Sequence, residues 1–205
     1  MIVATWNVRG MNSPVKTKEV RDFLEENNIS VVGLMETKIK MHNASKIQKK
    51  LGNKWVWSTN YDQHDKGRVW VGWRTDRCKL ETCGTHPQFI ATKITTYVTQ
   101  KTFHIVFIYG LHNVPDRKRL WQDLRRLDHD TPCLFIGDFN AVYSEDHRKN
   151  GSQVTTYETY DMLNWMEDME LHPLPAHGHS YSWSNKEEGQ NRILTKIDHA
   201  IGNIQ

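Results

Sequence analysis

The chain has 205 residues, enough for a domain with a sizeable core, and 27 Lys and Arg against 24 Asp and Glu leave it a net charge of +3 and a pI near 8.7, which weakly favours an anionic partner. No apolar run approaches the ~20 residues of a membrane helix, and residues 1–6 lack the basic and apolar regions of a secretory signal. The three cysteines, Cys78, Cys83 and Cys133, have no CxxC spacing, so they read as reduced thiols of an intracellular protein, not as a disulfide frame or zinc site.

Residues 2–6 read as a strand, and 7–14 as a loop. Residues 16–27 read as a helix, with Val20, Phe23 and Leu24 at i, i+3 and i+4, Ser13 as its cap and Pro14 at the first helical position. Residues 30–35 are a short apolar strand that stops at Glu36, so the chain starts as a βαβ-like unit. A second, more basic helix over 44–51 closes at Gly52-Asn53. From 54 to 108 the pattern is strands, over 55–57, 69–73, 79–83, 89–97 and 102–108, read as an antiparallel meander feeding a mixed sheet. The last of them stops at Tyr109. Residues 115–126 are a helix rich in Arg and Lys. The strand over 132–137 stops at Asp138, with Asn140 two residues on. An amphipathic helix over 155–169 is read with Tyr160, Leu163 and Met166 facing inward, and strands over 180–184 and 195–201 close the chain. Most of the eight tryptophans are expected in the core. The alternation predicts one α/β domain over 1–205, with two packed sheets flanked by helices.

Three of these buried strands end on Glu36, Tyr109 and Asp138. A costly polar group at a strand end sits where water or a metal can satisfy it. Asn7 follows the first strand and Asp198 lies in the last. Phosphodiester hydrolysis needs a divalent metal, a base for water and groups that hold phosphoryl oxygens. Magnesium takes oxygen ligands and keeps several waters, so one or two carboxylates suffice. Glu36 fits the ligand, Asp138 the base or water-orienter, and Asn7, Asn140 and Tyr109 the phosphate-side donors. Singly, each has a plainer reading: a solvated loop Glu, an Asx turn, a packing Tyr. Their joint order argues for chemistry. The basic clusters, Lys46, Lys49 and Lys50, then Arg117, Lys118, Arg119, Arg125 and Arg126, then Arg148 and Lys149, read mostly as solvated helix faces, with DNA phosphate contact as the alternative.

The segments Thr5-Trp6-Asn7-Val8-Arg9-Gly10, Leu34-Met35-Glu36-Thr37-Lys38, Ile108-Tyr109-Gly110, Ile136-Gly137-Asp138-Phe139-Asn140-Ala141, Tyr181-Ser182-Trp183-Ser184-Asn185 and Lys196-Ile197-Asp198-His199 together resemble the endonuclease/exonuclease/phosphatase superfamily. The likeness is greatest to the endonuclease domain of LINE-type non-LTR retrotransposons, particularly plant ones, and runs over residues 4–203. It implies a DNase I-like four-layer α/β sandwich of two packed mixed sheets flanked by helices, and cleavage of DNA phosphodiesters with Mg²⁺, or Mn²⁺ as the alternative ion. By that likeness Glu36 binds the metal with Asn7 nearby, Asp138 orients or deprotonates the attacking water, Asn140 and Tyr109 hold the scissile phosphate, and Asp198 orients a catalytic histidine. Arg9, Ser182 and Asn185 fall to the nucleic acid. Nuclear action follows from the same likeness.

The family's terminal Ser-Asp-His does not occur in this sequence. The expectation is therefore a C-terminally truncated domain, its last strand and loop missing, with weak or lost activity. The alternative is a non-catalytic protein that binds nucleic acid or, at an exposed C-terminal sheet edge, a protein partner. A phosphatase of small phosphoesters shares the fold but lacks support in the motifs. His199 is expected to point away from the Asp198 side, since neighbouring strand residues face opposite ways; His177 and His179 flank Gly178 in a loop.

Overall fold

The computed structural model describes residues 1–65, 67–127 and 131–203. Its contacts gather in two units, Met1–Tyr109 and Gly110–Gln205.

In the first unit the chain runs β1 (Val3–Asn7), α1 (Pro14–Glu26), β2 (Val31–Met35), α2 (Met41–Leu51), β3 (Trp55–Thr59) and β4 (Val69–Arg74). The Ser13 hydroxyl accepts the Lys16 N–H at 3.1 Å and Pro14 opens the helix, as the sequence requires. The helix returns the chain so that β2 lies parallel to β1, while β4 joins β2 and β3 joins β4 antiparallel. All five β2 residues are buried, which is why the strand shows no polar alternation. One side packs on α1 and α2 through Val20, Leu24, Ile47 and Leu51, with Trp70 beside them. On the other side Gly33 leaves room for a ring: a Cβ there would come 2.5 Å from Phe107.

That ring belongs to a second sheet of the same unit, β5 (Cys78–His86), β6 (Phe89–Thr96) and β7 (Thr102–Tyr109), an antiparallel meander. The expected single meander over 54–108 is thus two pieces. The break is the turn after β4, where the Arg77 N–H donates to Arg74 O at 3.0 Å and the Arg74 guanidinium holds Asp76 at 2.6 Å.

The second unit contains α3 (Val114–Leu124), β8 (Cys133–Asp138), β9 (Arg148–Lys149), α4 (Thr156–Asp168), β10 (Leu171–Pro173), β11 (Trp183–Ser184), β12 (Leu194–Thr195) and β13 (Asp198–Asn203). β13 pairs antiparallel with β8 on one side and β10 on the other, so the open edge expected at the C-terminal strand is covered. β11, β12 and β9 make a small separate sheet. The expected strand over 195–201 is two strands. Between them the Lys196 N–H turns to His147 O at 2.8 Å, and the Ile197 and Asp198 N–H groups go to the Ser182 hydroxyl, both at 3.1 Å.

The core of this unit is aromatic. Trp165 of α4 lies 5.0 Å from Phe135 of β8 and 5.2 Å from Trp121 of α3, ring centre to ring centre. Trp165 sets the rotation of α4, and the buried stripe is Thr159, Met162, Trp165 and Met166. The expected inward face is corrected: Met166 is buried, but Tyr160 is 58% and Leu163 42% exposed. A capping box between Thr155 and Glu158 starts the helix. Among the described residues no helix is long and apolar enough to cross a membrane.

Candidate functional site

In the first unit, Asn7 ends β1 level with Met35 of β2, so the residue after Met35, Glu36, emerges beside Asn7. The Asn7 amide donates to Glu36 Oε1 at 2.9 Å, and its carbonyl accepts the Arg9 N–H at 3.1 Å. The two exits stay zipped past the sheet, with the Gly10 N–H on Glu36 O at 2.8 Å and the Met11 N–H on Thr37 O at 2.9 Å. This path puts Arg9, Glu36 and Lys38 in left-handed backbone, at φ of 50°, 51° and 54°, an arrangement that costs roughly 1 kcal/mol or more per residue and gathers at functional sites. The Glu36 N–H is tied to Arg68 O at 2.8 Å.

Lys38 Nζ stands 3.2 Å from Glu36 Oε2, and the Tyr109 side chain also bonds the carboxylate. Burial is the largest single influence on the Glu36 pKa and pushes it up. The bonds from Asn7, Lys38 and Tyr109, with the Lys38 charge, together hold it below the usual carboxylate value. Glu36 is therefore an ionised carboxylate at neutral pH, able to serve as an oxygen ligand, its side chain 16% exposed. Among the described residues no three His, Cys, Asp or Glu side chains cluster as a metal cage. One carboxylate with an amide beside it suits a hard cation that keeps most of its waters, and does not suit a zinc site. Such an ion would have to displace Lys38 from Oε2.

In the second unit, Asp138 and Asp198 are register partners at the end of the β8–β13 ladder. Asp138 is buried, and its Oδ1 accepts the Asn140 N–H at 3.1 Å. Asn140 is left-handed, at φ 48°, which turns its amide to donate to Gly110 O at 2.8 Å. The Gly110 N–H in turn donates to Asp138 O at 2.8 Å. Ser182, by accepting the Ile197 and Asp198 N–H groups, sets where β13 begins.

Within the first unit the structure thus brings Asn7, Glu36 and Tyr109 together, with Arg9 next to Asn7, and within the second it brings together Asp138, Asn140, Asp198 and Ser182. Asn185 serves its own loop: its carbonyl accepts from Ile193 at 3.0 Å and Glu187 at 3.2 Å, and its amide donates to Asn191 O at 2.9 Å. His199 points away from solvent and donates through Nε2 to Ala141 O at 2.9 Å; burial drives its pKa down to about 3. His177 and His179 are exposed.

Three participants were not singled out from the sequence. Lys38 stands in the quoted Glu36 segment without a signal of its own. Gly110 acts through its peptide group, which leaves no side-chain signal. Arg117, read within a solvated basic cluster, is only 4% exposed; its spacing to Leu120, Trp121 and Leu124, the buried stripe of α3, is the signal that marks it. Of the other basic residues, Arg125 pairs with Asp168 at 2.6 Å, Arg126 with Asp123 at 2.8 Å and Arg148 with Glu158 at 2.6 Å, while Lys46, Lys49 and Lys50 are exposed.

Among solved structures the chain is similar to the endonuclease domain of TRAS1, a telomere-specific non-LTR retrotransposon, at 14% identity and a TM-score of 0.66, over 98% of this chain and 84% of that one. It is similar to the AP endonuclease LMAP from Leishmania major at 13% identity and a TM-score of 0.69, over 97% of this chain and 78% of the other. It is also similar to D. rerio TDP2, solved with a single-strand DNA product, at 12% identity and a TM-score of 0.63, over 97% and 82%. These likenesses show the fold, the expected DNase I-like α/β fold of mixed sheets with flanking helices. The model of the endonuclease/exonuclease/phosphatase family matches residues 4–185. With its fold and most of its length so matched, the chain belongs to the endonuclease/exonuclease/phosphatase family.

Proposed function

We propose that this chain is a DNA phosphodiesterase of the LINE-type non-LTR retrotransposon kind, of plant origin, that works with Mg²⁺ or Mn²⁺. The observation that carries the reading is Glu36, a carboxylate kept ionised at a strained strand exit and steered by the Asn7 amide at 2.9 Å. Glu36 holds the ion, with Asn7 fixing the carboxylate's orientation. The ion, when bound, supplies Lewis-acid stabilisation of charge on phosphoryl oxygens. Asp138 orients the attacking water and accepts its proton. Asn140 holds the phosphate in place, with Tyr109 in support through Glu36. Arg9, exposed beside Asn7, and Ser182 meet the DNA backbone. The complex of the similar D. rerio TDP2 with a single-strand DNA product supports DNA as the substrate class. The same reading makes the protein intracellular and active in the nucleus, which imaging of the tagged protein tests.

Activity of this polypeptide is proposed to be weak. His199, the histidine nearest Asp198 in sequence, is spent on Ala141 O and stays neutral, so it cannot supply a proton to the leaving oxygen. The same observation favours a second reading, DNA binding without cleavage. Supercoiled-plasmid nicking with Mg²⁺ tests both, comparing the chain with Glu36→Ala and Asp138→Ala. Nicking that both substitutions abolish supports hydrolysis. DNA binding with no nicking above the variants supports the second reading.

A further inference from the structure

Arg117 is a buried cation with, among the described residues, no carboxylate in its hydrogen bonds. Its Nη1 donates to Leu111 O and to His112 O, each at 2.6 Å. Burial pulls its pKa down, and Asp161, Glu158, Asp116 and Asp138 act on it only through space. A desolvated guanidinium is costly, and a Met or Leu would satisfy the stripe that Leu120, Trp121 and Leu124 form. What the guanidinium adds is a grip on two backbone carbonyls.

Those carbonyls directly follow Gly110. At Gly110 a Cβ would lie 2.1 Å from Phe139 O and 3.3 Å from Arg117 Cδ, so its backbone is pressed onto the Asp138–Asn140 turn. The peptide is held there from both ends: its N–H donates to Asp138 O, and its carbonyl accepts the Asn140 amide, each at 2.8 Å. We propose that Arg117 is a positioning residue: by clamping residues 111–112 it fixes the Gly110 carbonyl, and that carbonyl aims the Asn140 side chain. Asn140 presents its amide at a defined angle because an arginine on the next helix holds the acceptor still.

The catalytic consequence rests on the hydrolase reading; the positional one does not. The experiment uses Arg117→Met and Arg117→Lys, with Leu120→Ala as a control that loosens α3 without touching the clamp. Nuclear magnetic resonance follows the Asn140 side-chain amide protons, and plasmid nicking supplies kcat and KM. In Arg117→Met the Asn140 amide should shift and exchange roughly fivefold faster or more, as for one lost hydrogen bond. kcat should fall by up to about 10²-fold with KM little changed, as for misplaced groups. Arg117→Lys should recover part of both, and Leu120→Ala should leave the Asn140 amide as it is. An Asn140 amide unmoved in Arg117→Met, or moved equally in Leu120→Ala, overturns the proposal; if Arg117→Met does not fold, the same comparison with Arg117→Lys decides. Absence of wild-type nicking above Glu36→Ala would sink the hydrolase reading instead, and the amide comparison would still judge the clamp.

Discussion

Asp138 and Asp198 stand directly opposite each other across the β8–β13 ladder, two acids where a sheet normally sets complementary side chains. The Phe139 N–H donates to Ile197 O at 2.9 Å, which makes Asp138 and Asp198 a non-hydrogen-bonded pair, the kind with Cα atoms only about 4.5 Å apart and side chains close. The ladder tolerates this because its end is fastened elsewhere, by Ser182 on the β13 side and by Gly110 on the β8 side. Two carboxylates at this spot fit the proposed function, in which both serve the reaction and not the fold.

Neutralising one of the two should therefore leave stability unchanged or raise it. For Asp198→Asn the expected gain is at most about 1 kcal/mol, the scale of a like-charged cross-strand pair. Nicking should fall below wild type under the same conditions. Urea unfolding beside plasmid nicking makes the check. A clear loss of stability would mean that the carboxylate's own bonds outweigh the repulsion.

Lys38 occupies the Glu36 oxygen that the proposed metal would take. Lys38→Met should raise the Glu36 pKa toward the ordinary carboxylate value and, by removing a competing cation, tighten Mn²⁺ binding. Lys38 is 56% exposed, so the exchange is screened and the gain should stay within about fivefold. Calorimetric titration of the metal into both forms measures it. Weaker binding in Lys38→Met would show that the lysine supports the ion instead of competing with it.

Part of the candidate site is legible because its residues follow short apolar runs, and a polar group there must find a partner; Arg9, Ser182 and Asn185 come from the family likeness alone. Glu36, Tyr109 and Asp138 announce themselves this way, and Ser13-Pro14 marks its helix start as clearly. What the sequence leaves open is which neighbour each element finds. The strand pattern over 54–108 is the same whether β4 pairs with β2 or β5. The break at Lys196-Ile197 is made by Ser182, a distant hydroxyl. Arg117 was hidden by its charge, although its spacing placed it on the buried stripe. On α4 an apolar stripe through Tyr160 and Leu163 competes with one through Met162 and Trp165, and only the packing on Trp121 and Phe135 chooses.

That choice can be tested by size of effect. Trp165→Ala removes the centre of the aromatic core and should cost ~3–5 kcal/mol. Tyr160→Ala removes an exposed ring and should cost no more than about 0.5 kcal/mol. Chemical denaturation of the two variants compares them directly. Equal costs would return α4 to the rotation read from its periodicity.

Acid should unfold the second unit before its carboxylates titrate. His147 and His199 stack 5.3 Å apart, ring centre to ring centre, with both Nδ1 atoms buried and, among the described residues, without a hydrogen-bond partner. Burial depresses both pKa values, Lys196 depresses them further, and Asp146 partly offsets this at His147. Tyr143 packs against both rings and is itself held neutral by burial. The folded state therefore binds fewer protons than the unfolded chain, where histidine titrates near ~6.5. The stabilising contribution is full above that value and drains away as pH falls toward the His199 value of about 3. Glu36, depressed below its ordinary 4.5, adds to acid sensitivity only at lower pH. Melting temperature should thus fall steadily from pH 6.5 to 4.5 in the wild type, and His199→Asn should flatten that slope while lowering stability at pH 7. A slope that survives His199→Asn would assign the acid response to other groups.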